Sequence, residues 1–209
     1  MTPFTTLTAT ACPLPYSSID TDQLIPARFM SRTRAEGYGP VLLHDVRRDG
    51  DGNLDPAFPL NDPARADAAI VVARRNFGCG SSREAAVYAL ADGGIRAVIA
   101  PSFGDIFASN AVNNGLLPAV VSEDVAETLL THIEGGARAM TVDLEARTIT
   151  AGNEVHPFQV DPIWRTKLLN GWDDLDLTLQ HRDAIAAFAS ADTTARPWAK
   201  PRIGNRSEG

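Results

Sequence analysis

The 209-residue chain has few residues that could hold a metal ion or form a disulfide framework. Its two cysteines, Cys12 and Cys79, exclude a cystine-rich scaffold and a cluster bound by cysteines alone. Buried free thiols are the expectation for both. The four histidines lie far apart in the sequence, and none stands at metal-ligand spacing from another. No metal site and no cofactor site is therefore predicted within this chain.

Long apolar runs and an excess of positive charge are also missing. No run approaches the roughly 20 residues of a membrane span, and no basic segment followed by an apolar one predicts a signal peptide at the N-terminus. The net charge of -7 argues against a nucleic-acid surface, which would be basic. We therefore expect a cytoplasmic protein that binds neither membranes nor nucleic acids.

Residues 76–84, Asn-Phe-Gly-Cys-Gly-Ser-Ser-Arg-Glu, place glycines, hydroxyls and a cation between a predicted buried strand (68–73) and a predicted helix (85–92). Glycines allow a tight turn and a close approach to a ligand. The start of a helix favours an anion. Arg83 adds a planar fork of donors that fits a carboxylate or a phosphate. The segment therefore predicts an anion site with a hydroxyl beside it.

A simpler interpretation makes Ser81 or Ser82 only the N-cap of the helix and Arg83 a solvated residue of its first turn. It accounts for one serine, but not for the second serine, the Gly-X-Gly turn and the arginine together. The segment lacks the Gly-Lys-Ser/Thr ending of a Walker-type phosphate loop. It also has Arg83 where a dinucleotide-binding turn has its third glycine.

The rest of the chain predicts an α/β fold. Strands and helices alternate between residues 68 and 133, which indicates a parallel-rich sheet. Alternating apolar residues at 140–158 predict antiparallel hairpins, and the glycines and charges of 31–39 predict a mobile loop. We predict a single α/β domain with β/β/α layers at residues 1–191, followed by a disordered tail at 192–209.

Five segments resemble the small subunit of 3-isopropylmalate dehydratase, which is similar to the swivelling C-terminal domain of aconitase. They are residues 19–29, 76–84, 100–107, 114–118 and 177–181. The resemblance implies one subunit of a heteromeric hydro-lyase that isomerises 2-isopropylmalate to 3-isopropylmalate in leucine biosynthesis. It also implies that a large subunit, the partner of this chain, carries a [4Fe–4S] cluster and binds the small dicarboxylate substrate together with it.

The resemblance assigns roles to particular residues. Ser81 is similar to the serine that acts as general base through its alkoxide, and Arg83 to the arginine that clamps a substrate carboxylate, with the Ser82 amide nearby. Arg34 resembles the arginine of the substrate-recognition loop, and Arg32 competes with it for that role. A hydroxyl becomes a base only where its alkoxide is stabilised, which a helix start and a cation can do.

The chain departs from the family pattern at Ala85, where a histidine usually follows the glutamate. This departure keeps two alternatives open. The first is a small subunit of a related dehydratase that acts on another substituted malate, of the citramalate or dimethylmalate type. The second is a non-catalytic module that binds a dicarboxylate. The sequence also leaves open whether the isolated chain self-associates through the face meant for its partner.

Overall fold

A curled sheet of parallel and antiparallel strands forms the framework of the chain. The structure, a computed structural model, describes residues 1–136 and 138–199. The strands stand in the order β4-β3-β2-β1-β5-β6-β7. Neighbours among β1 to β4 are parallel, and β5 to β7 add antiparallel pairs, so the predicted parallel region and the predicted hairpins are both confirmed. The strands are β1 (Thr6–Leu14), β2 (Ile70–Ala73), β3 (Ala97–Ala100), β4 (Leu117–Val120), β5 (Arg138–Asp143), β6 (Thr148–Ala151) and β7 (Glu154–Pro157).

Helices connect the parallel strands and cover the sheet. Ser122 caps the longest of those beside the sheet, because its hydroxyl accepts a hydrogen bond from the Val125 N–H at 3.2 Å. None of the helices in the described ranges combines the length and the apolar composition that crossing a membrane requires. The helices are α1 (Thr21–Leu24), α2 (Glu84–Asp92), α3 (Asp105–Asn113), α4 (Glu123–Glu134) and α5 (Pro162–Asn170).

Side chains of the parallel strands point alternately into two apolar cores. In β2, Val71 and Ala73 lie in one core with α2, whereas Ile70 and Val72 lie in the other with α4. Successive side chains of a strand point to opposite faces, so both faces of this strand must be covered. This explains why the parallel strands are continuous apolar runs and not alternating ones.

The two edges of the sheet meet through a short antiparallel bridge. The Val120 N–H, in β4, donates to the Gln159 carbonyl at 3.0 Å, and the Gln159 N–H donates back at 2.7 Å. Gln159 follows β7, which stands at the opposite edge of the sheet. The bridge therefore curls the sheet and pairs backbone groups that an open edge would leave exposed.

The chain divides into two compact units, Met1–Trp172 and Asp173–Gly209. The second contains α6 (Asp174–Leu179) and α7 (Arg182–Ala195), and a short 3₁₀ turn follows at Pro197–Ala199. The domain boundary predicted after residue 191 falls inside α7, because the helix continues into the stretch for which disorder was predicted. Residues 200–209 of the predicted tail lie outside the described residues.

The two thiols differ in exposure, contrary to the prediction that both are buried. Cys12 is fully buried in β1, and this burial raises the pKa of its thiol to about 12. Cys79 is partly exposed. We expect one thiol of the native protein to react with Ellman's reagent at mildly alkaline pH and the second only after unfolding, since the thiolate is the reactive form. Two fast-reacting thiols in the native protein would contradict this.

Candidate active site

The central segment 76–84 lies at the carboxyl ends of β2 and β3, which is where open α/β sheets place their ligands. Its backbone requires glycine at two points. Gly78 has a φ of +71°, and a Cβ there would overlap the ring of Phe107. Gly80 has a φ of +95°, which disfavours any other residue. The sharp turn brings the two serines to the surface just before α2.

Two other segments hold this turn in place. From one side, the Gly78 N–H donates to the Ile19 carbonyl at 2.7 Å, and the Thr21 N–H donates to the Cys79 carbonyl at 2.9 Å. From the other side, the Gly104 N–H donates to the Phe77 carbonyl at 2.9 Å. Residues 19–29, 76–84 and 100–107, which the sequence marked separately, therefore meet at one place in the structure.

Ser81 and Ser82 are exposed, and neither caps α2. The N-cap position belongs to Arg83, which makes no side-chain capping bond, so the simpler interpretation of the serines as N-caps is wrong. Within the described part of the chain, the N–H groups of Ser82, Glu84 and Ala85 have no acceptor. These amides and the positive end of the helix dipole favour an anion beside the two hydroxyls.

Arg83 is mostly buried, with 17% of its side chain exposed, and it forms an ion pair with Asp22 of α1. Asp22 is more than half exposed. A guanidinium has five N–H donors, and the pair with Asp22 uses one of its two terminal nitrogens. The remaining donors can bind a second carboxylate, and Asp22 limits the directions in which the guanidinium points.

The carboxylate of Glu84, at the start of α2, faces two neighbours. Its Oε1 accepts a hydrogen bond from Asn114 Nδ2 at 3.1 Å, which connects the segment at 114–118 to the site. Burial, assisted by the Glu84 carboxylate, raises the pKa of Tyr88 above its ordinary value. The tyrosine is therefore a neutral hydrogen-bond donor at physiological pH.

The two loop arginines, Arg34 and Arg32, bind other residues of this chain and not the segment at 76–84. Arg34 donates both terminal nitrogens to the carboxylate of Asp92, at 3.0 and 3.3 Å, and lies 4.0 Å from the centre of the Tyr88 ring. Asp92 ends α2, nine residues after Arg83, or about 13 Å along the helix axis. Arg32 donates to the Gly37 carbonyl of its own loop at 3.0 Å. The structure thus brings Ser81, Ser82 and Arg83 together and places Arg34 at the far end of α2.

Asp92 has an unfavourable position, because an acid in the last turn opposes the negative end of the helix dipole. Its partners, Arg34 and the Tyr38 N–H at 2.8 Å, hold residues 31–39 against α2. We expect Asp92→Asn to speed amide hydrogen exchange in this loop while costing less than about 1 kcal/mol of unfolding free energy, since the Arg34 side of the ion pair is half exposed.

Glu145→Gln, in an exposed turn, is the matched control for that substitution. It should change neither the exchange of the loop nor the stability. Unaltered exchange throughout residues 31–39 in Asp92→Asn would contradict the role of the Asp92 charge as the anchor of this loop.

Sequence reasoning missed three residues that shape this site: Thr21, Asp22 and Asp92. The neighbouring Asp20 caps α1 by accepting from the Gln23 N–H at 2.7 Å, a role that depends only on residues of the same turn. Nothing in the sequence indicated that the next two residues contact the segment at 79–83. Within residues 1–136 and 138–199, no group of three or more His, Cys, Asp or Glu side chains could hold a metal ion.

Comparison with known proteins decides the family. Residues 1–124 match the model of the aconitase C-terminal domain, 127–162 the LeuD_N model, and 174–202 the C-terminal domain of the 3-isopropylmalate dehydratase small subunit. The 3-isopropylmalate dehydratase small subunit of Roseobacter denitrificans is 46% identical over 200 residues, with 95% of this chain and 100% of the relative covered. The chain belongs to the 3-isopropylmalate dehydratase small-subunit family.

Other members of the 3-isopropylmalate dehydratase small-subunit family agree. The small subunit of Cereibacter sphaeroides is 48% identical over 200 residues, covering 95% of this chain and all of the relative. A crystal structure of 3-isopropylmalate dehydratase from Methanocaldococcus jannaschii aligns with a TM-score of 0.61 and 26% identity, covering 88% of this chain and 99% of that one. The predicted fold, an α/β domain of the aconitase C-terminal type, is confirmed.

Proposed function

We propose that this chain is the small subunit of a heteromeric hydro-lyase that converts 2-isopropylmalate to 3-isopropylmalate, by dehydration and rehydration, in leucine biosynthesis. The names and full-length coverage of its relatives support the assignment. The observation that carries it is the exposed Ser81 hydroxyl, next to unpaired amides at the start of α2 and to Arg83.

In this proposal Ser81 acts as the general base. The C–H bond beside a substrate carboxylate breaks, its proton passes to the Ser81 alkoxide, and its electron pair forms a double bond as hydroxide leaves the neighbouring carbon. The alkoxide is stabilised by the Ser82 amide, the dipole of α2 and the charge of Arg83. Rehydration in the reverse sense places the hydroxyl on the other carbon.

Arginines bind the carboxylates of the substrate. Arg83 offers the donors that its pair with Asp22 leaves unused. A second carboxylate requires a further cation, for which Arg34 is the first candidate and Arg32 the second. The side chain of Arg34 is 53% exposed in its pair with Asp92, so a dicarboxylate can reach this arginine and compete for it.

A large subunit completes the site in this proposal. The described residues of this chain provide no set of ligands for an iron–sulfur cluster, and Cys12 is buried as a thiol. We assign the [4Fe–4S] cluster to the partner, where its chemistry is the activation of the leaving hydroxyl. Location of the assembled enzyme in the cytoplasm remains a prediction from the sequence.

Turnover by the reconstituted pair tests the function. The chain is co-expressed with a large subunit of 3-isopropylmalate dehydratase, and hydration and dehydration are measured with 2-isopropylmalate, citraconate and dimethylmalate. Selective use of isopropylmalate is the expected result. Selective use of another malate would instead favour the alternative suggested by Ala85. Failure to capture an iron–sulfur partner, together with binding of a dicarboxylate by the isolated chain, would favour the non-catalytic module.

A further inference from the structure

Thr21 is a buried polar residue that forms hydrogen bonds with the turn before Ser81. Only 1% of it is exposed, at the first position of α1. Its Oγ1 accepts a hydrogen bond from the Ser81 N–H at 3.1 Å, and its own N–H donates to the Cys79 carbonyl at 2.9 Å. The two bonds lie on either side of Gly80, where an added Cβ would be 3.5 Å from Thr21 Oγ1.

These hydrogen bonds fix the backbone of Ser81 and so limit where its hydroxyl can lie. Its N–H is held by Thr21, and its carbonyl accepts from the Arg83 N–H at 2.8 Å. With both backbone groups fixed, rotation about χ1 is the main freedom left to the hydroxyl. The Thr21 bond also uses the Ser81 amide, whereas the Ser82 amide has no acceptor in the described part of the chain and remains available to an anion.

We infer that Thr21 is a positioning residue for Ser81, whose side-chain oxygen keeps the serine in the orientation that proton transfer requires. The inference deepens the proposed function and rests on it. The adjacent Asp22 pairs with Arg83, so the short helix α1 orients both the hydroxyl and the cation of the site. Loss of the Thr21 oxygen leaves the Ser81 N–H without its partner, and the turn can then shift toward another arrangement.

Three substitutions in the assembled two-subunit enzyme test this role. Thr21→Ser and Thr21→Ala both lack the methyl group and differ only in the oxygen, whereas Thr21→Val keeps the shape and lacks the oxygen. We expect kcat to fall at least about tenfold in the Ala and Val variants, because a shift of about 1 Å at a reacting group can cost about 100-fold. The KM should stay within about threefold, and Thr21→Ser should recover most of kcat.

The controls separate positioning from packing and from the proposed function. Thr128→Val, on an exposed face of α4, should leave kcat and KM unchanged. Equal losses in Thr21→Ser and Thr21→Ala would show that only packing matters and would overturn the inference. A kcat near the wild-type value in Thr21→Ala or Thr21→Val, while Ser81→Ala is inactive, would also overturn the inference. Should Thr21→Val fail to fold, the Ser and Ala pair decides. A fully active Ser81→Ala would instead defeat the proposed base itself.

Discussion

Ser81→Ala is expected to lower kcat of the assembled enzyme by about 100- to 10,000-fold, because this is the contribution that a general base makes to the rate. The substitution removes one exposed hydroxyl and leaves both backbone hydrogen bonds of Ser81 possible. The KM, the melting temperature and assembly with the large subunit should therefore change little. Steady-state turnover of 2-isopropylmalate and thermal unfolding measure these quantities.

Two serine substitutions control that result. Ser109→Ala removes an exposed hydroxyl from α3 and should have no effect. Ser82→Ala removes the neighbouring hydroxyl but keeps the amide that we assign to the alkoxide, so its loss of kcat should be much smaller than that of Ser81→Ala. Turnover within tenfold of wild type in Ser81→Ala would contradict the assignment of the base, and a larger loss in Ser82→Ala would transfer the role to that serine.

Local chemistry made much of the fold predictable. Gly93 ends α2 and Ser122 caps the start of α4, and both signals can be read from the sequence because caps and helix ends depend on residues within one turn. The parallel strands were marked by apolar runs that both cores require. In each case the sequence signal and the structure that it determines lie within a few residues.

The arrangement around the site depends on contacts between residues far apart in the chain. Thr21 and Ser81 are 60 positions apart, and Arg34 and Asp92 are 58 positions apart. Each contact is a single polar pair, and such a pair leaves no periodic pattern in the sequence from which it could be predicted. The resemblance to a known family could supply the roles of Ser81 and Arg83, but not that Arg34 lies along α2. The predicted mobile loop is instead tied to Asp92 by three hydrogen bonds.

The pair between Asp22 and Arg83 has consequences for affinity. Asp22 reduces the net charge at the site, which weakens a purely electrostatic attraction for a dicarboxylate. It also holds the guanidinium in one orientation, so less side-chain entropy is lost when a substrate carboxylate binds. Arg83 is largely buried and Asp22 is more exposed, so the orienting effect should outweigh the loss of charge.

Arg83→Met is therefore expected to lower kcat/KM of the assembled enzyme by about 30- to 5000-fold, the range for removing one partner of a desolvated, hydrogen-bonded charge pair such as Arg83 would form with a substrate carboxylate. Arg83→Lys keeps the charge but loses the planar fork, and should recover only part of the loss. Stability should fall by less than about 1 kcal/mol, since Asp22 is solvated and can remain charged without its partner.

Arg74→Met is the control, because Arg74 also pairs with a carboxylate, that of Glu127 of α4 at 2.6 and 3.0 Å, against the opposite face of the sheet from α2. It should leave kcat/KM unchanged. Full recovery by Arg83→Lys would mean that charge alone matters and that the fork has no bidentate role. An unchanged kcat/KM in Arg83→Met would show that the substrate carboxylate is held elsewhere, and the loop arginines or the large subunit would then have to supply both cations.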